Sequence, residues 1–508
     1  MTLNHSTKKI AVNTIVLYLR MIVIMLIALY TSRVVIKALG VDDYGLYNVV
    51  GGVVGLFAFL RTSMEQATQR FLNFEMGKEE GDLNSVFCVS LTIHILIALL
   101  CLILTETIGL WFLNTYLNIP EGREVAANIV YQCVVLSLCT TIISVPYSAS
   151  VIAHEQMSFY AMVNIVDAIL KLGIAMIVLN SDTDRLIFYG ILMMLVSVMN
   201  IIMYFFFCRK RYKETNFHFL FEKSLFKQIF GFTSWTIVGQ AAIIGTNQGN
   251  NILLNMFHNV TANAAMGVGN QVGSAVLSLS GGFQTAFNPQ MTKSYAAKDY
   301  SYLRFLLIAV SKLSFVLMFV VSLPIVFNID IVLSTWLDVV PFGAGAFCIL
   351  WIVQSIVNSL STPLNFCINA SGNIKHAQLF VSCVYLSDLI VLFALFKFCL
   401  PPITAMWVKV SVVVIVLFVR LCFACKCVPG LSFWEYTKGV LLPLALTVAI
   451  CVAFSFVVMS FADTSIRKWL ATISIIAVSL LSTFFIALHK EERGFLVETI
   501  KSILHKNQ

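Results

Sequence analysis

The chain has 508 residues, of which 59% are hydrophobic and 11% charged, with a mean hydropathy of +0.89. That composition excludes a soluble globular domain and indicates a polytopic membrane protein. In such a chain a net charge of +8 speaks to topology and lipid contact, and nucleic acid is not an expected partner.

A helix needs about 20 apolar residues to cross ~30 Å of hydrocarbon. Fourteen such windows follow one another, near 11–38, 44–62, 84–112, 126–151, 157–180, 186–208, 229–257, 262–287, 303–328, 341–367, 375–399, 402–424, 438–461 and 467–488. A membrane β-barrel would instead show ~10-residue alternating runs. The apolar run after Lys8-Lys9 is too long for a cleavable signal and reads as the first span. With the N-terminus placed in the cytoplasm, 22 of the 33 Lys and Arg residues fall in cytoplasmic segments and 7 in outward ones. The remaining 4 (Arg20, Lys171, Lys312, Lys409) lie within spans. This bias predicts an all-α integral membrane protein of fourteen helices, with both termini cytoplasmic.

The stretch from Tyr30 to Asp82 sets the plan. An apolar helix carrying Arg33 and Lys37 ends at Gly40, turns through Asp42-Asp43, and returns as a glycine-laced helix that leaves at Arg61. Asp42-Asp43 are expected to cap the second helix. A shift of 219 residues lays Val41-Asp42-Asp43-Tyr44-Gly45 on Val260-Thr261-Ala262-Asn263-Ala264. Six helices per copy is an even number, so the copies insert in one orientation, related by an axis along the membrane normal. That plan puts a substrate site between two pseudo-symmetric lobes. The predicted organisation is a first lobe over 1–208, a basic cytoplasmic linker over 209–228 and a second lobe over 229–427. Two further helices follow within 428–489, then an amphipathic cytoplasmic tail over 490–508.

The spans carry costly polar groups. In the seventh, Gln240, Asn247, Asn251 and Asn255 share one face, flanked by Gln248 and Asn250; the eighth adds Asn270, and the tenth Gln354, Asn358 and Asn365. Single amides of this kind usually bond between helices, but three stripes in one half point to a shared aqueous path. Arg20, Lys312 and Lys409 sit mid-span, where insertion costs about 2.5–3.5 kcal/mol each. With Arg33, Lys37 and Arg61 they form a positive set suited to a phosphate-bearing substrate, although Arg33 and Lys37 also suit snorkelling. Glu65, Asp167 and Asp388 are the carboxylates that would serve a coupling cation or a structural pair. Asp167 and Lys171, at i and i+4, are expected to neutralise each other, and Lys409 is the cross-helix candidate for Asp388.

Other chemistry is thinly supported. The thirteen cysteines lie mostly in apolar spans and read as small hydrophobes. Cys422, Cys425 and Cys427 lack a nearby fourth metal ligand. No GxxxxGK[ST] loop is present, so direct ATP hydrolysis is not expected. An acidic pair at Asp42-Asp43 admits a multi-span glycosyltransferase using lipid-phosphosugar, but no long catalytic loop accompanies it. No cofactor, metal or catalytic residue is assigned.

Five segments carry a family resemblance: TSRVVIKALGVDDYGLYNVVGGVVGLFAFL, ATQRFLNFEMGK, ISVPYSASVIAHEQM, NQGNNILLNMF and FNPQMTKSYAAKDY. With them the chain resembles the polysaccharide-transporter branch of the multidrug/oligosaccharidyl-lipid/polysaccharide (MOP) exporter superfamily, and most of all the O-antigen-type flippases. The resemblance implies two six-helix lobes around a cavity that opens alternately to each side. It implies an undecaprenyl-pyrophosphate-linked oligosaccharide moved from the cytoplasmic to the periplasmic leaflet of a bacterial inner membrane. Membrane lipids, a polysaccharide polymerase and glycosyltransferases would be its partners. The family often carries a basic residue where Met266 stands, which would leave the cationic patch mainly in the first lobe. A cation-coupled drug exporter of the same fold is the alternative.

Overall fold

The computed structural model describes residues 16–488 and Arg493. Exceptions are positions 18, 22, 25, 29, 32, 36, 41–42, 45, 48–49, 52–57, 117–118, 120–121, 219–221, 259, 338–339 and 462–464. Among the described residues the chain is all helix and turn, with no strand. The helices are α1 (Leu19–Gly40), α2 (Ala58–Met76), α3 (Leu83–Thr115), α4 (Glu124–Ala153), α5 (Met157–Leu179), α6 (Arg185–Arg211), α7 (Lys223–Phe257) and α8 (Val260–Ala296). They continue as α9 (Tyr300–Phe327), a short α10 (Ile329–Trp336), α11 (Ala344–Ser371), α12 (Lys375–Lys397), α13 (Thr404–Cys427), α14 (Phe433–Ser460) and α15 (Arg467–Ala487).

Twelve of these are long and apolar enough to cross a membrane. Of the expected second span over 44–62, positions 45, 48–49 and 52–57 lie outside the described residues. The expected eighth forms α8, but its Asn, Gln, Ser and Gly content keeps it out of the twelve. The predicted tail over 490–508 lies outside the described residues except for Arg493.

Side-chain chemistry sets the helix starts. Asp82, Asp184 and Asp299 accept backbone N–H bonds at the starts of α3, α6 and α9, and Ser432 with Glu435 forms a capping box at α14. Because α7 and α8 have 35 and 37 residues, at 1.5 Å rise they run over roughly 50 Å, beyond the hydrocarbon thickness.

The chain divides into two compact units, residues 15–237 and 238–508, with the boundary inside α7. In the first unit α4 is the central helix, packing on α2, α3 and α6. Towards the end of α3 a π-turn runs over Thr105–Gly109, and the Thr105 carbonyl accepts from the Tyr131 hydroxyl at 2.6 Å as well as from the Leu110 N–H. Gly109 makes that approach feasible, since a Cβ there would collide with the same hydroxyl. Gly109→Val should therefore lower stability by about 1–3 kcal/mol through overpacking, measured as a fall in thermal midpoint in detergent.

The basic segment after α6 is fixed to this unit. Asn84 donates to the carbonyls of Glu214 and Asn216 at 2.7 and 3.0 Å, His154 pairs with Glu214 at 2.9 Å, and Tyr212 is buried against the His154 ring. Arg209, Lys210, Arg211 and Lys213 stay exposed.

In the second unit α11 is the central helix, against α8, α9 and α13. Gly269 and Gly273 let α8 close on α11: a Cβ at Gly269 would lie 2.5 Å from Trp351 Cδ1, and one at Gly273 3.1 Å from Trp351 Cβ. The large apolar cluster of this unit includes Trp351, Met266, Leu254, Val408 and Leu392.

Candidate functional sites in the two units

The first unit gathers charge around two tyrosines. Arg20 of α1 is half-buried, with its guanidinium 5.1 Å from the centroid of the Tyr160 ring of α5. Its Nε is buried without a hydrogen-bond partner. One turn separates Arg61, which is exposed, from Glu65, which is half-buried on α2. Arg20, Arg61 and Glu65 all lie within electrostatic reach of both Tyr160 and Tyr204. Two guanidinium groups, one carboxylate and two phenols thus act on one another electrostatically. The two cations outnumber the one carboxylate, and Arg61 remains open to solvent.

Arg33 and Lys37 are exposed on α1, 13 and 17 residues beyond Arg20, or roughly 20 and 25 Å along the helix. They do not join that cluster.

The pair expected on α5 forms. Lys171 meets Asp167 at 2.8 Å, and Asn200 of α6 donates to the other carboxylate oxygen at 2.7 Å. With both oxygens engaged, Asp167 is a structural fastening of α5 to α6.

A second charged cluster ties the loop ends of this unit. Arg123 donates through Nε to Asp43 Oδ1 at 2.9 Å, with a second bond to Asp43 Oδ2. Its Nη1 reaches Asp184 at 2.5 Å. Asp43 is thereby spent on Arg123; Asp42 lies outside the described residues. Arg185 adds a bond to the Ala38 carbonyl at 3.3 Å. Arg123→Ala should unfasten the α1–α2 turn, raising amide hydrogen exchange over residues 38–47 by about tenfold, the loss of a charged hydrogen bond of 1.5–3 kcal/mol.

The second unit buries two opposite charges, each held by an amide rather than by the other. Asn250 of α7 donates to Asp388 Oδ2 of α12 at 2.8 Å. Lys409 of α13 donates to Asn247 Oδ1, one turn earlier on α7, at 2.5 Å. The Lys409 ammonium also lies 4.1 Å from the centroid of a Trp351 ring, the residue that Gly269 and Gly273 seat. Asp388 and Asn250 have no exposed surface and Lys409 has 5%. Each charge is met by a different amide of one helix, and each is the other's charged neighbour. Asp388 Oδ1, Asn250 Oδ1 and Gln354 Oε1 remain buried acceptors without protein partners, as does the Trp351 Nε1 donor.

The amide stripes are therefore divided. Asn247 and Asn250 serve this pair, whereas Asn255 and Asn270 are exposed and Gln240, Asn251, Gln354, Asn358 and Asn365 are half-buried. Lys312 is wholly buried in α9. Met266 is buried in the same apolar cluster as Trp351. Arg420 of α13, buried and bonded to Ser361 Oγ at 3.0 Å, was not singled out by sequence because it sits four residues from the end of its span.

The family model described as polysaccharide biosynthesis protein matches residues 7–295, a stretch that contains the whole Arg20–Arg61–Glu65 cluster. None of the curated proteins matches the sequence. Among solved structures, an outward-facing multidrug-resistance MATE transporter of the MOP superfamily is 13% identical, covering 85% of this chain and 96% of that one with a TM-score of 0.63. A MATE proline-to-alanine mutant is 12% identical over 83% and 96% of the two chains, with a TM-score of 0.71. A MOP superfamily transporter from Pyrococcus furiosus, described as having a binding pocket of reversed polarity, is 12% identical over 83% and 95%, with a TM-score of 0.67. At these identities the likeness is one of fold.

Proposed function

Because this chain belongs to the polysaccharide biosynthesis protein family and has the MATE-type fold of MOP superfamily transporters, we propose that it is a flippase for an undecaprenyl-pyrophosphate-linked oligosaccharide. It moves the substrate by alternating access, from the cytoplasmic to the periplasmic leaflet of a bacterial inner membrane. The observation that carries this reading is the Arg20–Arg61 cluster, a cation excess inside the stretch that the family model matches. A pyrophosphate crossing hydrocarbon needs its charge met throughout, and guanidinium forks do so with bidentate hydrogen bonds. The half-buried Tyr160 ring beside them offers a flat apolar face to a sugar. Exposed and half-buried amides such as Asn255, Asn270 and Asn358 supply hydroxyl partners. The prenyl tail stays in lipid, so its insertion energy is never lost. No bond is made or broken, and no catalytic residue is assigned. Glycosyltransferases that build the oligosaccharide and a polymerase that consumes it are the partners this role requires.

Cells lacking the protein should accumulate the lipid-linked oligosaccharide on the cytoplasmic side and lose surface polysaccharide; normal surface polysaccharide would refute the assignment. The second reading, a cation-coupled drug exporter, is favoured by the fold and by Glu65 and Asp388, two carboxylates inside the units. It expects efflux of a cationic dye such as ethidium, abolished by Glu65→Gln. The flippase reading expects ethidium accumulation unchanged by deletion.

A further inference from the structure

A groove of about 370 Å³ lies in the second unit, where α9 hands over to α10 alongside the start of α15. Its position relative to the membrane follows from the helices themselves. The α9 span ends at Phe327 and the α15 span begins at Arg467, so the groove sits where two spans reach the headgroup boundary. Its lining is mostly apolar, with Ile325, Ile331 and Val332 on the α9–α10 side and Lys468 and Trp469 on the α15 side. Trp469 is 70% exposed, the placement an indole takes at a membrane interface.

The floor is built rather than accidental. Asn328 donates to the Pro324 carbonyl at 2.9 Å and to Thr472 Oγ1 at 3.1 Å, pinning α15 to the end of α9. The carboxylate of α10, Asp330, is not among the lining residues, and its Oδ1 lies 3.4 Å from where a Cβ of Gly345 would stand. Lys468 is exposed above an apolar slot, and a cation there calls for an anion joined to a hydrocarbon chain.

We propose that this groove binds an anionic glycerophospholipid, its phosphate on Lys468 and one acyl chain along Ile325, Ile331 and Val332. The bound lipid bridges α15 to the α9–α10 corner and sets the seat of the last helix. The site is independent of which substrate the protein carries.

The test uses the full chain purified in detergent, with bound lipid counted by native mass spectrometry after addition of phosphatidylglycerol, phosphatidylcholine or diacylglycerol. Phosphatidylglycerol should be retained over phosphatidylcholine. Lys468→Ala should weaken that retention about fivefold, the effect of one basic residue near a lipid surface. Ile331→Trp, which fills the slot and leaves Lys468 in place, should reduce both phospholipids alike. Equal retention of phosphatidylglycerol and phosphatidylcholine by the unmodified protein would overturn the proposal. So would unchanged binding in Lys468→Ala, or displacement of phosphatidylglycerol by an equal concentration of polyprenyl phosphate.

Discussion

Replacing Lys409 with Met should destabilise the second unit by about 3–5 kcal/mol, because it strands the buried Asp388 carboxylate without its counter-charge. The reciprocal Asp388→Leu should cost a similar amount, leaving the ammonium with only the Asn247 carbonyl and the Trp351 ring. The double variant should recover most of the loss, since two well-packed apolar groups in place of two buried opposite charges are often neutral or better. Thermal midpoints and yields of folded protein in detergent measure all three. Additive losses in the double variant would mean that the two charges do not act as a pair. Because the Trp351 ring beneath the ammonium rests on Gly269 and Gly273, Gly269→Val should weaken the same region through the ring, by about 1–3 kcal/mol of overpacking.

The second large effect belongs to transport. Arg61→Ala and Arg20→Ala should each lower flipping by about tenfold or more at unchanged expression, since a hydrogen bond to a charged group contributes about 1.5–3 kcal/mol. Arg61→Lys should fall between, keeping the charge and losing the fork. Arg33→Ala and Lys37→Ala, on exposed positions far along α1 from this cluster, should stay within about twofold, as expected of snorkelling side chains. Equal losses at Arg33 and Arg61 would move the phosphate contact out of the tyrosine cluster.

These two predictions differ in how far sequence alone reaches them. The mid-span placement of Arg20, the turn at Gly40 and the Asp167–Lys171 pair are local features. Helical spacing fixes them without knowledge of any neighbour. The partners of Asp388 and Lys409 are not local. Asn247 and Asn250 stand three residues apart, about 60° from each other around one helix, and only packing against α12 and α13 brings each to its own charge. A sequence stripe therefore grouped Asn247 with Asn255, although one serves a buried ammonium and the other is exposed. Arg123 joins Asp43 and Asp184 across 80 and 61 residues, a closure that periodicity cannot encode. Arg420 escaped notice because a cation near a span end ordinarily snorkels, whereas here Ser361 holds it inside. The eighth span was legible as pattern, but its glycine and amide content keeps it from the composition that marks a membrane helix.

The most direct measurement is made on purified protein in liposomes carrying a fluorescent polyprenyl-pyrophosphate oligosaccharide, scored by the fraction that a membrane-impermeant reagent can reach. Protein-dependent exchange between leaflets, weakened about tenfold or more by Arg61→Ala, is the expected result. Leaflet exchange no faster than in empty liposomes, from protein that remains folded, would contradict the account.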